Sequence, residues 1–355
     1  MSEFRIDKIT NRVGDAGTQI CGVSTFSGTS GIVMPVGATE FRGGRGRGVF
    51  LGGFAAPSYY SSIDYVEIAT TGNASDFGDL TVDKNYSGGC ASATRGFSIG
   101  GWDEPGGTLL SGIEYVTISS KGGADDWGEM YESAYNVTGF SNSTRGLCAA
   151  GYGGPSSPLG PYMNVIQYFQ MATQGSMSDF GNLVHKRRQH GSNGSSSTRG
   201  FVAGGQYNAS GAASYVNMID MITMTTLGDA IDFGDITADC DGTQSTSDAT
   251  RLVISLGAGP SPLDWGLNII NYLTMATQGN ASDFGDSTAK YTSSPTTSNS
   301  VRAVFAGGRN NPGYHNTIDY VTIQSTGNAA DFGDLTSQRV VNAAAGDAHG
   351  GLGGD

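Results

Sequence analysis

Short apolar stretches, separated by glycine and polar residues, recur along almost the whole chain with the alternation of β-strands. In one unit, the small residues 90–92 are followed by a turn, and residues 97–99 then alternate and end at a double glycine. Residues 113–118 have high β-propensity, and a fourth stretch begins near Trp127. The pattern predicts four short strands per unit and an all-β protein.

The unit occurs six times, each copy combining an arginine, an Ile-x-Tyr-Val-x-Ile strand and a Gly-Asn-Ala-x-Asp-Phe-Gly-Asp segment, with variations. The arginines are Arg47, Arg95, Arg145, Arg199, Arg251 and Arg302. The aromatic residues of the last segment are Phe77, Trp127, Phe180, Phe233, Phe284 and Phe332, at intervals of 48 to 53 residues. A period near 50 predicts the blades of a β-propeller of the kelch kind.

The number of blades depends on how the ring closes. Residues 349–354 repeat the first half of a unit without its second half, so the simplest expectation is six blades with the tail strands completing or covering the first blade. The alternative is seven blades, in which residues 4–9 would supply the missing half. Six blades are favoured. The predicted domains are an extended N-terminal arm, residues 1–38, and the propeller, residues 39–355.

The arm does not match the repeat and has little apolar character beyond Phe4, Ile6 and Ile9. A segment of this kind gains order from a neighbour, so these three residues are expected to anchor the protein to its own ring or to another subunit.

Composition narrows the function classes. A net charge of −13 disfavours nucleic acid and anionic membranes as partners. Cys21, Cys90, Cys148 and Cys240 form no CxxC motif and are expected to be free and mostly buried, as in a reducing cytoplasm. No membrane-spanning stretch and no signal peptide are expected.

Three repeated polar features are candidate chemistry. The Asn73-x-x-Asp76-Phe77-Gly78-Asp79 cluster has oxygen ligands that Ca²⁺ accepts, but too few of them, so turn-forming caps are the favoured interpretation and no metal is expected. The repeated arginines are expected to pair with carboxylates of their own or the next blade. The acidic residue before the tyrosine is copied too often for a catalytic group. No catalytic motif, and no cofactor, is predicted, so the chain is read as a non-enzyme.

Specificity is expected in the loops between the second and third strands, at residues 54–62, 102–112, 152–164, 206–217, 258–268 and 309–317. These loops differ in every blade and carry aromatic residues that either stack on carbohydrate and contact proteins or pin their own loops. The candidate binding residues are Tyr59, Tyr60, Trp102, Tyr152, Tyr162, Tyr207, Tyr215, Trp265 and Tyr314.

The double glycines, the tyrosine strand and the outer aromatic residue resemble kelch propellers, with a different spacing between Tyr65 and Phe77. The repeated strings at 63–81 and 318–336, with the opening residues 4–11 and 31–37, resemble virion proteins of marine bacteriophages, especially cyanophages. This resemblance covers essentially the whole chain and implies a virion component made in the host cytoplasm.

Two roles are compatible with such a component. The first is a tail-fibre-like adhesin that binds a host surface glycan or protein through the aromatic loops. The alternative is a capsid decoration or tail and neck assembly protein docked to other virion proteins by the N-terminal arm, with a homo-oligomer in the particle as a further option. A glycan-degrading enzyme is the weakest candidate, because carboxylate pairs are spatial and leave no sequence motif.

Overall fold

The computed structural model describes residues 25–27, 31–33, 46–103, 106–154, 161–188, 191–192, 194–208, 213–260, 266–310, 313–341 and 343–352. These residues form an all-β ring of six blades, which confirms the β-propeller and the six-blade prediction. Before the ring, Thr25–Ser27 pairs antiparallel with Gly31–Val33. The predicted anchor residues Phe4, Ile6 and Ile9 lie outside the described part of the chain.

Each blade is an antiparallel sheet whose strands run from the ring axis outward. Blade 1 contains Ala343–Gly346, Arg47–Ala55, Ser58–Glu67 and Ser75–Asp79. Blade 2 contains Gly88–Ala91, Arg95–Asp103, Thr108–Thr117 and Asp125–Glu129, with Lys84–Asn85 beside the second strand. Blade 3 contains Thr138–Ser141, Arg145–Ala149, Met163–Gln170 and Ser178–Arg187.

The other three blades repeat this order. Blade 4 contains Arg199–Ala203, Ala213–Thr223 and Ile231–Cys240, with Gln206–Asn208 pairing with the third strand. Gly191–Ser192 pairs parallel with Gly88–Ala91 and Thr138–Ser141, the innermost strands of blades 2 and 3. Blade 5 contains Gln244–Ser247, Arg251–Ser255, Leu267–Thr274 and Ser282–Tyr291. Blade 6 contains Thr296–Ser298, Arg302–Ala306, Thr317–Thr322 and Ala330–Asp334.

Three of the expected loops are largely strand. Residues 54–62, 102–112 and 206–217 were expected to be irregular, whereas Arg47–Ala55 pairs with Ser58–Glu67, Arg95–Asp103 with Thr108–Thr117, and Gln206–Asn208 with Ala213–Thr223 in these segments. In blades 1 and 2 the pairing continues past a β-bulge at the double glycine. At Gly100 the backbone has φ of +59°, and a Cβ there would meet the Ala134 carbonyl oxygen at 2.7 Å.

The hydrophobic core lies between blades rather than within one sheet. Six clusters of buried apolar side chains occupy the six interfaces between neighbouring blades in the described ring. The cluster between blades 2 and 3, for example, brings Phe97 and Trp127 against Phe169, with the Phe97 ring 5.0 Å from each of the other two. Each blade therefore needs both neighbours to bury its faces. Cys90, Cys148 and Cys240 are free and buried in these interfaces, as expected.

The ring closes where the C-terminal strand enters blade 1. Ala343–Gly346 pairs antiparallel with Arg47–Ala55 and supplies the innermost strand of that blade. In the unbroken blades a side chain three residues before the arginine caps the arginine amide; Ser196 Oγ accepts from Arg199 N at 3.1 Å. At the seam Asp347 takes this place, and its Oδ1 accepts from Arg47 N at 2.8 Å and Gly46 N at 3.0 Å. A non-covalent turn thus joins the two ends of the ring.

The tail after Asp347 closes one end of the central channel. Gly350–Leu352 forms a buried 3-10 turn. The imidazole of His349 donates from Nε2 to the Ala91 carbonyl at 2.9 Å, and its Nδ1 accepts from Gly351 N at 3.1 Å. Burial lowers the pKa of His349. Because the neutral ring satisfies both nitrogens, the tail is held as an integral plug of this face.

We expect Asp347→Ala to destabilise the ring more than loss of the equivalent capping side chain in a blade where the chain is continuous through the turn. The substitution leaves two buried amides without an acceptor, at about 1–3 kcal/mol for each such group, and weakens the seam itself. Ser196→Ala is the matched control, because the chain remains covalent there. Urea unfolding measures the free energy of unfolding of both variants. Equal costs for Asp347→Ala and Ser196→Ala would contradict the role of this turn in closure.

Candidate functional site

The six repeated arginines join neighbouring blades. Each Nη1 donates to a backbone carbonyl at the end of the next blade's third strand, at 2.6 to 3.2 Å. The acceptors of the six arginines in chain order are Ile118, Met171, Met224, Met275, Ile323 and Ile68. The structural role agrees with the prediction, but the expected carboxylate partner is wrong as a rule, although Arg47 also pairs with Glu67 at 2.7 Å. These guanidinium groups form no common ligand site.

The Gly-Asn-Ala-x-Asp-Phe-Gly-Asp segment also joins blades. Gly72 N and Ala74 N donate at 2.8 Å to carbonyls of the preceding blade's outer strand, and Asn73 Oδ1 accepts from Asp334 N at 3.1 Å. At Gly333 φ is +148°, and a Cβ would overlap the Gly72 carbonyl. The capping interpretation was right in kind, but the cap acts across blades. Among the described residues, no group of three His, Cys, Asp or Glu side chains is placed to hold a metal ion.

The acidic residue before the tyrosine is buried at the same interface. In blade 1, Asp64 accepts from Thr336 N at 3.0 Å and lies 3.1 Å from Arg339 of blade 6. The equivalent carboxylates Glu114 and Asp220 pair with Lys84 at 2.5 Å and Arg187 at 3.2 Å. These carboxylates therefore cap the neighbouring blade, which agrees with the view that a residue copied in several blades is structural.

The cationic partner is seven residues after the outer aromatic residue of the preceding blade. Where the next blade carries an amide instead of a carboxylate, this seventh position is neutral, namely Ala134 facing Gln167 and Cys240 facing Asn271. Charge at the two positions thus varies together within one chain, except that Tyr291 faces Asp319, whose pKa is raised by burial. A buried carboxylate requires a nearby cation or a hydrogen-bonded environment.

A cavity of about 560 Å³ opens at the ring end opposite the His349 plug. Its wall contains the residue eight positions after the outer aromatic from every blade. We call these residues the position-eight ring: Asn85, Tyr135, Arg188, Asp241, Thr292 and Val340. Side chains alternate along the chain here, so the seventh position enters the blade interface and the eighth enters the cavity.

The next residue in four blades has left-handed backbone. Tyr86, Asn136, Gly242 and Ser293 have φ between +53° and +70°, and all four line the cavity. Left-handed backbone is unfavourable for Tyr and Ser, and such conformations are concentrated at functional sites. The left-handed turn is therefore present in three blades that carry Tyr, Asn or Ser there, although glycine adopts this backbone conformation more easily.

One wall of the cavity is aromatic: Tyr86 and Tyr135 line it, and further rings pack against Tyr135 outside the lining. Tyr135 contacts Tyr86, Trp102 and Tyr152, with ring centroids 5.9, 5.3 and 5.2 Å apart, and Tyr152 contacts Tyr162 at 5.4 Å. A second, smaller group lies at the seam, where the lining residue Phe54 contacts Tyr59 at 4.7 Å and Tyr314 at 5.8 Å. Partly buried rings with polar tips suit stacking against a sugar ring.

A second part of the wall, which begins at Arg188 next to Tyr135, is polar and charged. Arg188, Asp241 and Arg309 line it, and the closest Arg188–Asp241 distance, Nη2 to Oδ2, is 4.0 Å. Burial raises the pKa of the Asp241 carboxyl, and both arginines oppose that rise. Asn136 Oδ1 and Arg188 Nε are covered atoms without a hydrogen-bond partner among the described residues. The cavity therefore combines stacking surface with donors and acceptors that the protein does not saturate.

The predicted loop aromatics fall into three groups. Tyr215 lines the cavity, and Tyr59, Trp102, Tyr152, Tyr162 and Tyr314 belong to the aromatic contacts described above. Tyr60 lies under the Arg339 guanidinium at 5.9 Å, and Tyr207 lines a separate cavity of about 120 Å³. Trp265 is outside the described residues. Contacts between rings also support the interpretation that some of them pin their own loops.

No residue of the position-eight ring was predicted as a site residue, because the variable aromatic loops after the second strand gave the stronger sequence signal. A detectable pattern exists: the seventh position is shared in character by several blades, whereas the eighth is Asn, Tyr, Arg, Asp, Thr or Val. A repeat position that differs in every copy and faces one cavity is expected of a specific site on a symmetric scaffold.

Comparison with known proteins leaves the family open, since no protein-family model and no curated protein matches the chain. In the described part of the chain, no helix is long and apolar enough to span a membrane.

We expect the buried Lys84–Glu114 pair to behave as one unit. Burial lowers the pKa of Lys84; burial also opposes ionisation of Glu114, but Lys84 and the hydrogen bonds from Thr81 hold the pKa of Glu114 below its usual range. Lys84→Met or Glu114→Gln alone should each cost about 3–5 kcal/mol, and the double variant much less, because a neutral pair already occupies the next interface. A double-mutant cycle by urea unfolding measures the coupling. If each single variant lowers the free energy of unfolding by less than about 1 kcal/mol, and the double variant by the sum of the two, the residues are not coupled.

Proposed function

We propose that this protein is a non-enzymatic bacteriophage virion component, a tail-fibre-like adhesin that binds a host surface saccharide in the open cavity of its ring. The carrying observation is the cavity of about 560 Å³ in which an aromatic wall lies beside polar and charged residues. This volume is within the range of small-ligand sites, about 300–1,000 Å³. The virion location is supported by the resemblance of the repeats to marine phage proteins.

The composition of the cavity supports binding rather than hydrolysis. Asp241 is the one carboxylate residue among the described residues that line it. Glycoside hydrolysis ordinarily uses two carboxyl groups on opposite sides of the scissile bond. A single carboxylate beside Arg188 is suited to accepting hydrogen bonds from sugar hydroxyl groups.

The two faces of the ring favour an anchored adhesin. Gly46, where the described ring begins, is hydrogen-bonded to Asp347 at the plugged face. The described ring therefore begins at the face opposite the cavity. An anchor supplied by residues 1–38 would leave the cavity directed away from the attachment point, the arrangement that a receptor-binding module requires.

The binding proposal is tested with the purified full-length chain on an array of bacterial surface saccharides, followed by calorimetry with the best binder. We expect Tyr135→Ala to weaken binding at least tenfold, about 1.4 kcal/mol, because it removes the centre of the aromatic wall. Tyr131→Ala is the matched control, since Tyr131 is four residues earlier and 59% exposed.

The outcomes separate the two virion roles. Saccharide binding that Tyr135→Ala weakens and Tyr131→Ala does not supports the adhesin. Absence of binding across the array, or equal effects of the two variants, contradicts it. Host-cell binding that persists in Tyr135→Ala would mean that the receptor site lies outside the cavity.

The anchor is tested separately by deleting residues 1–38. The contacts that close the ring lie within residues 46–352, so we expect the truncated chain to keep its unfolding transition and its saccharide affinity. Incorporation into phage particles, measured by immunoblotting of purified particles, should be lost. If the truncated protein is still incorporated into particles, the arm is not the anchor. Loss of particle stability with normal attachment would instead favour a decoration protein.

A further inference from the structure

The charge of the cavity is opposite to that of the chain. Its described lining contains two guanidinium groups, on Arg188 and Arg309, and one carboxylate, on Asp241, which leaves a formal charge of +1. The whole chain carries −13. The positive cavity attracts anionic ligands, whereas the acidic surface around it repels them.

Arg188 differs from the other arginines in how its guanidinium is used. The neighbouring Arg187 is buried and lies 3.2 Å from Asp220, and the six repeated arginines bind carbonyls of the next blade. Arg188 is part-exposed in the cavity, and its Nη2 is 4.0 Å from Asp241, too far for a hydrogen bond. Its Nε has no acceptor among the described residues. The Nε–Nη2 edge, which binds carboxylates in bidentate fashion, is therefore not saturated by the protein.

Asn136 supplies an independent observation. It is 5% exposed, lines the same cavity in left-handed conformation, and its Oδ1 accepts no hydrogen bond from the described residues. A buried acceptor without a donor is rare in folded proteins and requires an explanation. A water molecule or a ligand hydroxyl group would satisfy it, and a carboxylate or sulfate oxygen would not. A ligand that carries both hydroxyl groups and an anion fits Asn136 and Arg188 together.

We propose that the ligand is an acidic saccharide, whose ring stacks on the aromatic wall around Tyr135 while its anionic substituent binds between Arg188 and Arg309. This inference rests on the proposed saccharide binding and narrows its ligand class. Asp241 holds the two arginines in the unliganded cavity and accepts from ligand hydroxyl groups. Uronic acids and sulfated sugars share the required chemistry.

The experiment uses chemically matched pairs of probes with the full-length chain. Oligogalacturonate is compared with its methyl ester, and a sulfated galactan oligosaccharide with its desulfated form, by calorimetry at 50 and 150 mM salt. We expect the acidic member of at least one pair to bind at least tenfold more tightly than its neutral form, with affinity that falls as salt rises. The pair that discriminates identifies the anion.

Arg309→Gln should reduce the ratio of acidic to neutral affinity at least fivefold, and Arg188→Gln provides a second variant if one of them unfolds. Lys121→Gln is the control, since it removes one positive charge from an exposed residue outside the cavity. Neutral probes that bind as tightly as acidic ones, with an unchanged ratio in Arg309→Gln, would overturn the acidic ligand and leave saccharide binding intact. Absence of binding by every saccharide tested, neutral or acidic, would overturn both.

Discussion

Each blade of this protein is held by backbone polar groups that its neighbour must satisfy. The outer strand of a propeller blade is an edge strand, and its unpaired carbonyls are otherwise a liability. Here the Gly-Asn-Ala segment of the next blade donates two amides to that edge, as Gly72 and Ala74 do for blade 6. The repeated arginine donates a hydrogen bond to the carbonyl at the end of the third strand of the next blade. Burial of the apolar clusters and satisfaction of these groups occur at the same interface, so one blade cannot form its complete contacts alone.

This constraint explains why the ring is repetitive and the cavity is not. Residues that join blades, such as Arg145 and Gly333, must keep their chemistry because a backbone partner defines it. The side chains of the position-eight ring project into the central cavity, whereas their backbone groups pair with the next blade, as Tyr135 does with Tyr152 and Arg188 with Gln206. Each side chain is therefore free to differ. The backbone supplies a nearly symmetric circle of six positions, and the side chains make it asymmetric, with the Tyr135 ring beside the Arg188–Asp241 pair.

Several expectations failed where the partner of a residue was decided by a neighbouring blade. A carboxylate was expected beside each repeated arginine because that is the common charged partner of an arginine, but every one of the six donates to a strand-end carbonyl of the next blade. The Asn73 cap was expected within its own turn, yet it serves Asp334 on the other side of the seam. The loop at 54–62 was expected to be irregular, because its polar composition does not reveal that strand pairing continues past a bulge.

The sequence alone determined the all-β class and the repeat length, and it favoured six blades over seven, because strand alternation and periodicity are local properties of the chain. It also indicated that aromatic residues are concentrated toward one group of loops. Only the tertiary structure decided which of them meet, that Asp347 completes a turn some three hundred residues away, and that Tyr135, Arg188 and Asp241 face one cavity. Those relations arise from closing the ring, which places residues of six different blades around one axis.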